Sequence, residues 1–139
     1  MVAVDRALAG ITEDELDRAP HGEWSPRLVV HHLADSETNS YVRLRTLLAE
    51  TNPHIQGYDQ AEFARVLHYD RPIEASLAVF RAVRDSSSGL LDLLGDDDWS
   101  KSGTHSESGA YSVEGWLEIY ADHAVDHADQ ISRARTGAA

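Results

Sequence analysis

The final third of the chain repeats apolar residues every three or four positions, which predicts a long amphipathic helix over 113–135. Ser112 is a typical N-cap residue for its start. Within this helix His123 and His127 lie four positions apart, so both imidazoles project from one face, about 40° apart and about 6 Å along the axis. Two imidazoles in this arrangement can bind one metal ion. We expect them to point inward, because they share their stripe with Tyr120, Ala124 and Ile131.

Capping residues and prolines mark the other helix boundaries. Ser25 followed by Pro26 predicts the start of a second long helix, which should end near Glu50. A third long helix is expected over 71–94, with a weak point at the poor helix formers of 86–89.

Shorter helices are expected at 2–8, after a capping box at 12–15, and over 59–68. The segments 52–58 and 95–111 are predicted to be loops, the second of a length that is usually functional or mobile. Strand signals are nearly absent. The pattern therefore predicts one all-α domain over 1–139, similar to a four-helix bundle.

The composition excludes several classes of function. The chain has no cysteine, so a metal site must use His, Asp, Glu or water, and thiol chemistry would need a thiol from a co-substrate. The net charge of −12 disfavours binding to nucleic acid or to anionic membranes. The sequence has neither a signal-peptide pattern nor an apolar run near the ~20 residues of a membrane span. A cytoplasmic protein is therefore expected.

A metal site needs a third protein ligand, because two histidines are too few for stable binding. The segment 24–37 offers the neighbours His31 and His32. This segment resembles the second helix of the DinB/YfiT-like superfamily, in which a tryptophan precedes the helix and a histidine stands directly before Leu-Ala-Asp-Ser, as His32 does here. The resemblance continues, in chain order, through 39–43, 57–59, 105–109, the two terminal histidines, Gln130 and Ile131.

The resemblance implies a four-helix bundle with long crossover loops and a divalent metal, usually zinc or nickel, bound by three histidines. By position these are His32, His123 and His127. Three neutral imidazoles leave at least one coordination position open, which is typical of a catalytic metal. The alternative is that the three are core histidines whose nitrogens are satisfied by hydrogen bonds. The chain departs from the family pattern in starting near the middle of the usual first helix, and in having Asp122 where an aromatic residue is common.

Three functions are compatible with this resemblance. The first is an S-transferase that uses mycothiol or bacillithiol, in which a thiolate held at the metal attacks an electrophile. The second is a metal-dependent hydrolase with activated water as the nucleophile, for which Glu37 or Asp35 is the candidate general base. Both carboxylates can equally lie on the helix surface or orient an imidazole. The third is a non-catalytic, metal-stabilised bundle that binds a partner.

Two further residues are candidate contacts to a co-substrate. Arg43 can bind an anionic group, although an ion pair with a carboxylate is the simpler interpretation. His105 lies in the polar segment that we expect near the mouth of the site, where a solvated loop residue is the alternative. The remaining histidines are predicted to lie on the surface: His21, His31, His54 and His68. Members of the family are often dimers, so a homodimer is one expectation.

Overall fold

The computed structural model describes residues 1–20 and 22–137, so the prediction for His21 lies outside the described residues. The elements, in chain order, are α1 (Val2–Leu8), α2 (Glu13–Leu16), α3 (Pro26–Ala49), β1 (His54–Ile55), α4 (Gln60–Val66), α5 (Glu74–Leu91), α6 (Asp96–Trp99), β2 (Ser102–His105), β3 (Gly109–Ser112) and α7 (Val113–Thr136). None of the helices described is both long enough and apolar enough to cross a membrane.

Side-chain caps fix the starts of the two longest helices. The Ser25 hydroxyl accepts the N–H of Leu28 at the start of α3, where Pro26 holds the first helical position. The Ser112 hydroxyl accepts the N–H of Gly115 at 3.0 Å at the start of α7. These predicted starts are confirmed, as is the capping box that opens α2. The third long helix is shorter than predicted, but α5 continues without interruption through the weak segment 86–89.

Helix α3 lies at the centre of the molecule and packs against both α5 and α7, while α1 packs on α7. One apolar cluster includes Val29 and Leu33 of α3 with Phe80 of α5 and Ile131 of α7. A second cluster, further along α3, joins Leu44 and Leu47 to Val113, Trp116 and Tyr120. The expected helical bundle is therefore present, and its cores hold α3 and α7 side by side.

The two segments that were predicted to be loops contain a small sheet, so that prediction is wrong. Strand β1 pairs in parallel with β2, and β2 pairs antiparallel with β3. Each strand has four residues or fewer, too short for a clear apolar alternation, and β1 pairs with a strand about fifty positions later in the chain. Gly103 is needed in β2 because a Cβ there would overlap the carbonyl oxygen of Pro53.

His31 is fully buried, so its prediction as a surface residue is wrong. Its Nδ1 lies 2.7 Å from the Ser76 hydroxyl and its Nε2 lies 3.0 Å from the Arg71 carbonyl oxygen. Because α3 is covered by α5 on one side and α7 on another, adjacent positions of α3 are buried on different sides. Burial lowers the pKa of His31. His54 and His68 are exposed, as predicted.

Candidate metal centre

Three histidines from the two central helices meet in space. His32 comes from α3, and His123 and His127 come from successive turns of α7. One potential ligand nitrogen from each lies within 4.8 Å of the others. The ring centroid of His32 is 5.4 Å from that of His123 and 4.8 Å from that of His127. This group could hold a metal ion, with two ligands from one helix and one from the facing helix.

The local environment favours the neutral form of His32 and His127, which is the form that binds metals. His32 is 3% exposed, and its burial, together with the neighbouring His127 and His123, lowers its pKa to about 3. Burial also lowers the pKa of His127. At neutral pH these two rings therefore carry no proton that a metal would have to displace from the ligand nitrogen.

His127 differs from His32 and His123 in having a hydrogen-bond partner for its Nδ1. Its Nδ1 lies 2.8 Å from Oε1 of Gln130, and Nε2 of Gln130 donates to the carboxylate of Glu23 at 3.1 Å. The bond to Glu23 orients the amide so that its oxygen faces the imidazole. His127 then carries its proton on Nδ1 and has its lone pair on Nε2.

His32 and His123 each have a buried Nδ1 with no hydrogen-bond partner among the described residues. Buried polar atoms without partners are uncommon, because each costs the free energy of desolvation without a compensating bond. The alternative of hydrogen-bonded core histidines predicts partners for these atoms. The donor set therefore fits a metal better than it fits a purely structural cluster.

The two candidate general bases on α3 are engaged by other residues. Glu37 is 4% exposed, and its Oε1 accepts a hydrogen bond from Arg84 Nε at 3.1 Å within an ion pair. The same oxygen is 3.9 Å from His123 Nδ1, which is too far for a hydrogen bond. Asp35 accepts a hydrogen bond from the hydroxyl of Tyr69 at 2.5 Å. A role for either carboxylate as a general base stays a prediction.

An open cleft of about 650 Å³ leads to the histidines. Its lining comes from α3, the segment after β1, the β2–β3 turn and α7, and consists of His32, Ser36, Arg43, Gln56, Gly57, Tyr58, Asp59, Gln60, Glu107, Tyr120 and His123. The cleft can therefore admit a small molecule to two of the three histidines. A smaller cavity of about 220 Å³, which shares His32 and Gln60 with the cleft, also includes Trp24 and His127.

The two predicted co-substrate contacts have different positions. Arg43 lines the cleft, where it donates to the Tyr120 hydroxyl at 3.0 Å and to the Gln56 carbonyl oxygen at 3.1 Å. His105 is buried on β2 rather than solvated on a loop, and its Nδ1 accepts the backbone N–H of Glu107. Glu107, and not His105, is among the described residues that line the cleft. A direct contact from His105 to a co-substrate stays a prediction.

Comparison with known proteins agrees with this architecture. A family model described as the DinB superfamily matches residues 3–131. The chain belongs to the DinB superfamily. Its fold is similar to that of YfiT from Bacillus subtilis, described as a probable metal-dependent hydrolase with an unusual four-helix bundle topology. The TM-score is 0.90 and the identity 29%, and the match covers 99% of this chain and 82% of YfiT.

Two relatives of this DinB-superfamily chain are also named as metal-dependent hydrolases. A proposed metal-dependent hydrolase of Oceanobacillus iheyensis is 37% identical over 123 residues, which cover 88% of this chain and 72% of that protein. Another, from Bacillus mycoides, is 32% identical over 132 residues, which cover 94% and 76%. The predicted family and the predicted helical bundle are thus confirmed. The names of these relatives also agree with the metal dependence expected of the three-histidine group.

Proposed function

We propose that this chain is a metal-dependent enzyme in which His32, His123 and His127 bind one divalent ion, zinc or nickel. The observation that carries this proposal is the convergence of three imidazoles at the end of an open cleft. A structural metal is normally enclosed by four protein ligands, whereas a catalytic metal keeps a position for a ligand from solution. With a charge of −12, the chain is suited to small-molecule substrates rather than to nucleic acid.

The reaction we propose is the transfer of a low-molecular-weight thiol, such as mycothiol or bacillithiol, to a small electrophile. A bound divalent ion lowers the pKa of a thiol at its open position, so that the sulfur becomes nucleophilic without a separate base. This suits a site whose nearby carboxylates, Asp35 and Glu37, already accept hydrogen bonds from Tyr69 and Arg84. Arg43 contributes a positive charge that can hold an anionic part of the thiol.

Hydrolysis is the second candidate, favoured by the names of the relatives. Water is a weaker acid than a thiol and benefits more from a general base. Glu37 on α3 lies 3.9 Å from His123 Nδ1, but releasing it would require breaking its ion pair with Arg84. The two candidate reactions therefore differ in one requirement that can be measured, which is the added thiol.

The test is a rate measurement on zinc-loaded and nickel-loaded protein with 1-chloro-2,4-dinitrobenzene as the electrophile. The proposal expects a rate that saturates with mycothiol or bacillithiol and is lost in a His123→Ala/His127→Ala variant. A His54→Ala/His68→Ala variant is the control, because both side chains are exposed. Hydrolysis of an activated ester at a rate independent of thiol, with no thiol transfer, would favour the hydrolase instead.

A further inference from the structure

Two side chains of opposite charge, Arg43 and Glu107, line the cleft without forming an ion pair with each other. Arg43 and Glu107 line the same cavity as His32 and His123, yet neither forms an ion pair within the described part of the chain. An arginine without a carboxylate partner is not rare in this chain, but among the described residues Arg43 is the arginine that lines this cleft. Several other arginines here do pair with carboxylates: Arg27, Arg65, Arg81, Arg84 and Arg135.

Arg43 is held in place by groups that leave its charge available. It donates one bond to the Tyr120 hydroxyl and one to the Gln56 carbonyl oxygen. A guanidinium has five N–H donors, so three remain. Its carbon also lies 5.9 Å from the centre of the Tyr58 ring, which forms part of the cleft wall. A carboxylate in the cleft could therefore accept from a positioned guanidinium.

The Glu107 carboxylate lies against the backbone of Gly57, the residue after the Gln56 that accepts from Arg43. A Cβ added at Gly57 would lie 2.6 to 2.8 Å from the carboxylate atoms of Glu107, so a side chain there would make the carboxylate shift. The Gly57 N–H donates to the Ser106 hydroxyl at 2.8 Å, which fixes the two segments together. The backbone N–H of Glu107 donates to His105, which further fixes the turn.

The other acidic side chain of the cleft is already engaged. The Asp59 carboxylate accepts the backbone N–H groups of Ala61 and Glu62, both at 3.0 Å, as the N-cap of α4. Glu107 has no such partner in the part of the chain that the structure describes. It is therefore the carboxylate in the cleft that is available to a ligand cation.

We propose that the cleft selects a zwitterionic thiol of the amino-acid class, with Arg43 binding its carboxylate and Glu107 binding its ammonium group. The inference rests on the proposed function, because the thiol must reach the three-histidine metal. It narrows the proposed thiols to those that present one anion, one cation and one sulfur within the reach of a single cleft, a requirement that mycothiol, with its acetylated amine, does not meet. It also assigns Glu107 to substrate recognition.

Four small thiols that carry different combinations of charged groups test this inference. L-cysteine has both charges, N-acetyl-L-cysteine has only the anion, cysteamine has only the cation, and 2-mercaptoethanol has neither. Their binding to the zinc-loaded protein is measured by calorimetry, and zinc retention is checked by elemental analysis after gel filtration. We expect L-cysteine to bind at least about tenfold more tightly than 2-mercaptoethanol.

Single variants then assign each charge. Arg43→Gln should weaken binding of L-cysteine and N-acetyl-L-cysteine roughly tenfold and leave cysteamine nearly unchanged. Glu107→Gln should show the reverse selectivity, weakening L-cysteine and cysteamine. Gly57→Ala should weaken the same two thiols by a smaller factor, because its Cβ shifts the carboxylate without removing its charge. Glu118→Gln, an exposed change outside the cleft lining, should change none of the four affinities.

The outcomes separate the inference from the function on which it rests. If zinc and all four thiols bind with affinities that ignore charge, the zwitterion proposal is overturned and the thiol function survives. The same holds if Arg43→Gln and Glu107→Gln weaken all four thiols equally. If zinc binds but no thiol does, both the transferase proposal and the inference fail. The inference is supported if Arg43→Gln loses affinity only for the thiols with an anion and Glu107→Gln only for those with a cation. Removal of the metal by a free chelating thiol cannot produce that pattern.

Discussion

Gln130 should control the affinity of the metal site without touching the metal. Its Oε1 lies 2.8 Å from His127 Nδ1, and its Nε2 is held by Glu23 at 3.1 Å. Replacement by alanine removes the acceptor that favours the tautomer with its lone pair on Nε2. Loss of such a partner typically costs 10- to 100-fold in metal affinity. Because a neutral bond at a partly exposed position is worth about 1 kcal/mol, we expect the low end, about tenfold or ~1.4 kcal/mol.

The assay is competition calorimetry of zinc against a chelator, on the parent and on Gln130→Ala. Asp129→Ala is the matched control, since it changes the neighbouring exposed residue of α7. Gln130→Glu retains an acceptor and should bind zinc at least as tightly as the parent. Nitrogen-15 NMR of the metal-free protein should show His127 protonated on Nδ1 in the parent and mixed tautomers in Gln130→Ala. An affinity within twofold of the parent, with mixed tautomers, would refute the reasoning.

Three further predictions concern stability and are measured by urea unfolding. Arg84→Met should destabilise the fold by about 3–5 kcal/mol, because it leaves the buried Glu37 carboxylate unpaired. The control Arg81→Met removes an exposed ion pair on the same helix and should cost under about 1 kcal/mol. Equal losses of stability in the two variants would contradict this reasoning. Burial lowers the pKa of His105 in the folded protein, so the unfolded chain binds the proton more readily and the free energy of unfolding should fall as the pH drops below 6.5. His105→Gln should make the free energy of unfolding depend less on pH in this range. An unchanged pH dependence would contradict this prediction. Gly103→Ala should cost about 1–3 kcal/mol, since its Cβ meets a backbone oxygen, and a neutral result would contradict the close approach.

Helix positions were predictable where a short motif determines them. Helices α3 and α7 both begin where expected. In each, an N-cap serine comes directly before a stretch with helical periodicity: Ser25 before Pro26 in α3, and Ser112 before Val113 in α7. A cap acts through bonds to residues two or three positions away, so the information is contained in the local sequence. The ends of α5 lacked such signals, and they were predicted less accurately.

The sheet could not be predicted in this way. Strands β2 and β3 each contain four residues, and the sheet is completed by β1, about fifty positions earlier in the chain. Its stability comes from backbone pairing and from the close approach at Gly103, neither of which leaves a periodic pattern. The burial of His31 was missed for a related reason, because its partners lie on a segment far away in sequence.

The candidate site was predictable in part. The spacing of His123 and His127 places them on one helical face, while His32 was chosen over His31 from its family position. Gln130 lies three positions after His127 on the same face, so its contact could have been expected from helical geometry. Arg84 and Tyr69, which engage the two carboxylates of α3, lie 47 and 34 positions from them, and no local pattern links such pairs.

The central claim is that three histidines bind one divalent ion, and its most direct test is metal stoichiometry. Elemental analysis measures the metal content per chain of the parent protein, first as purified and then after reconstitution with zinc or nickel. The same measurement is made on His32→Ala, His123→Ala and His127→Ala. His54→Ala is the control. The account predicts about one ion per chain in the parent and control, and a large loss in each of the three variants that remains folded by circular dichroism. A parent that binds no ion after reconstitution, or folded variants that retain a full equivalent, would contradict it.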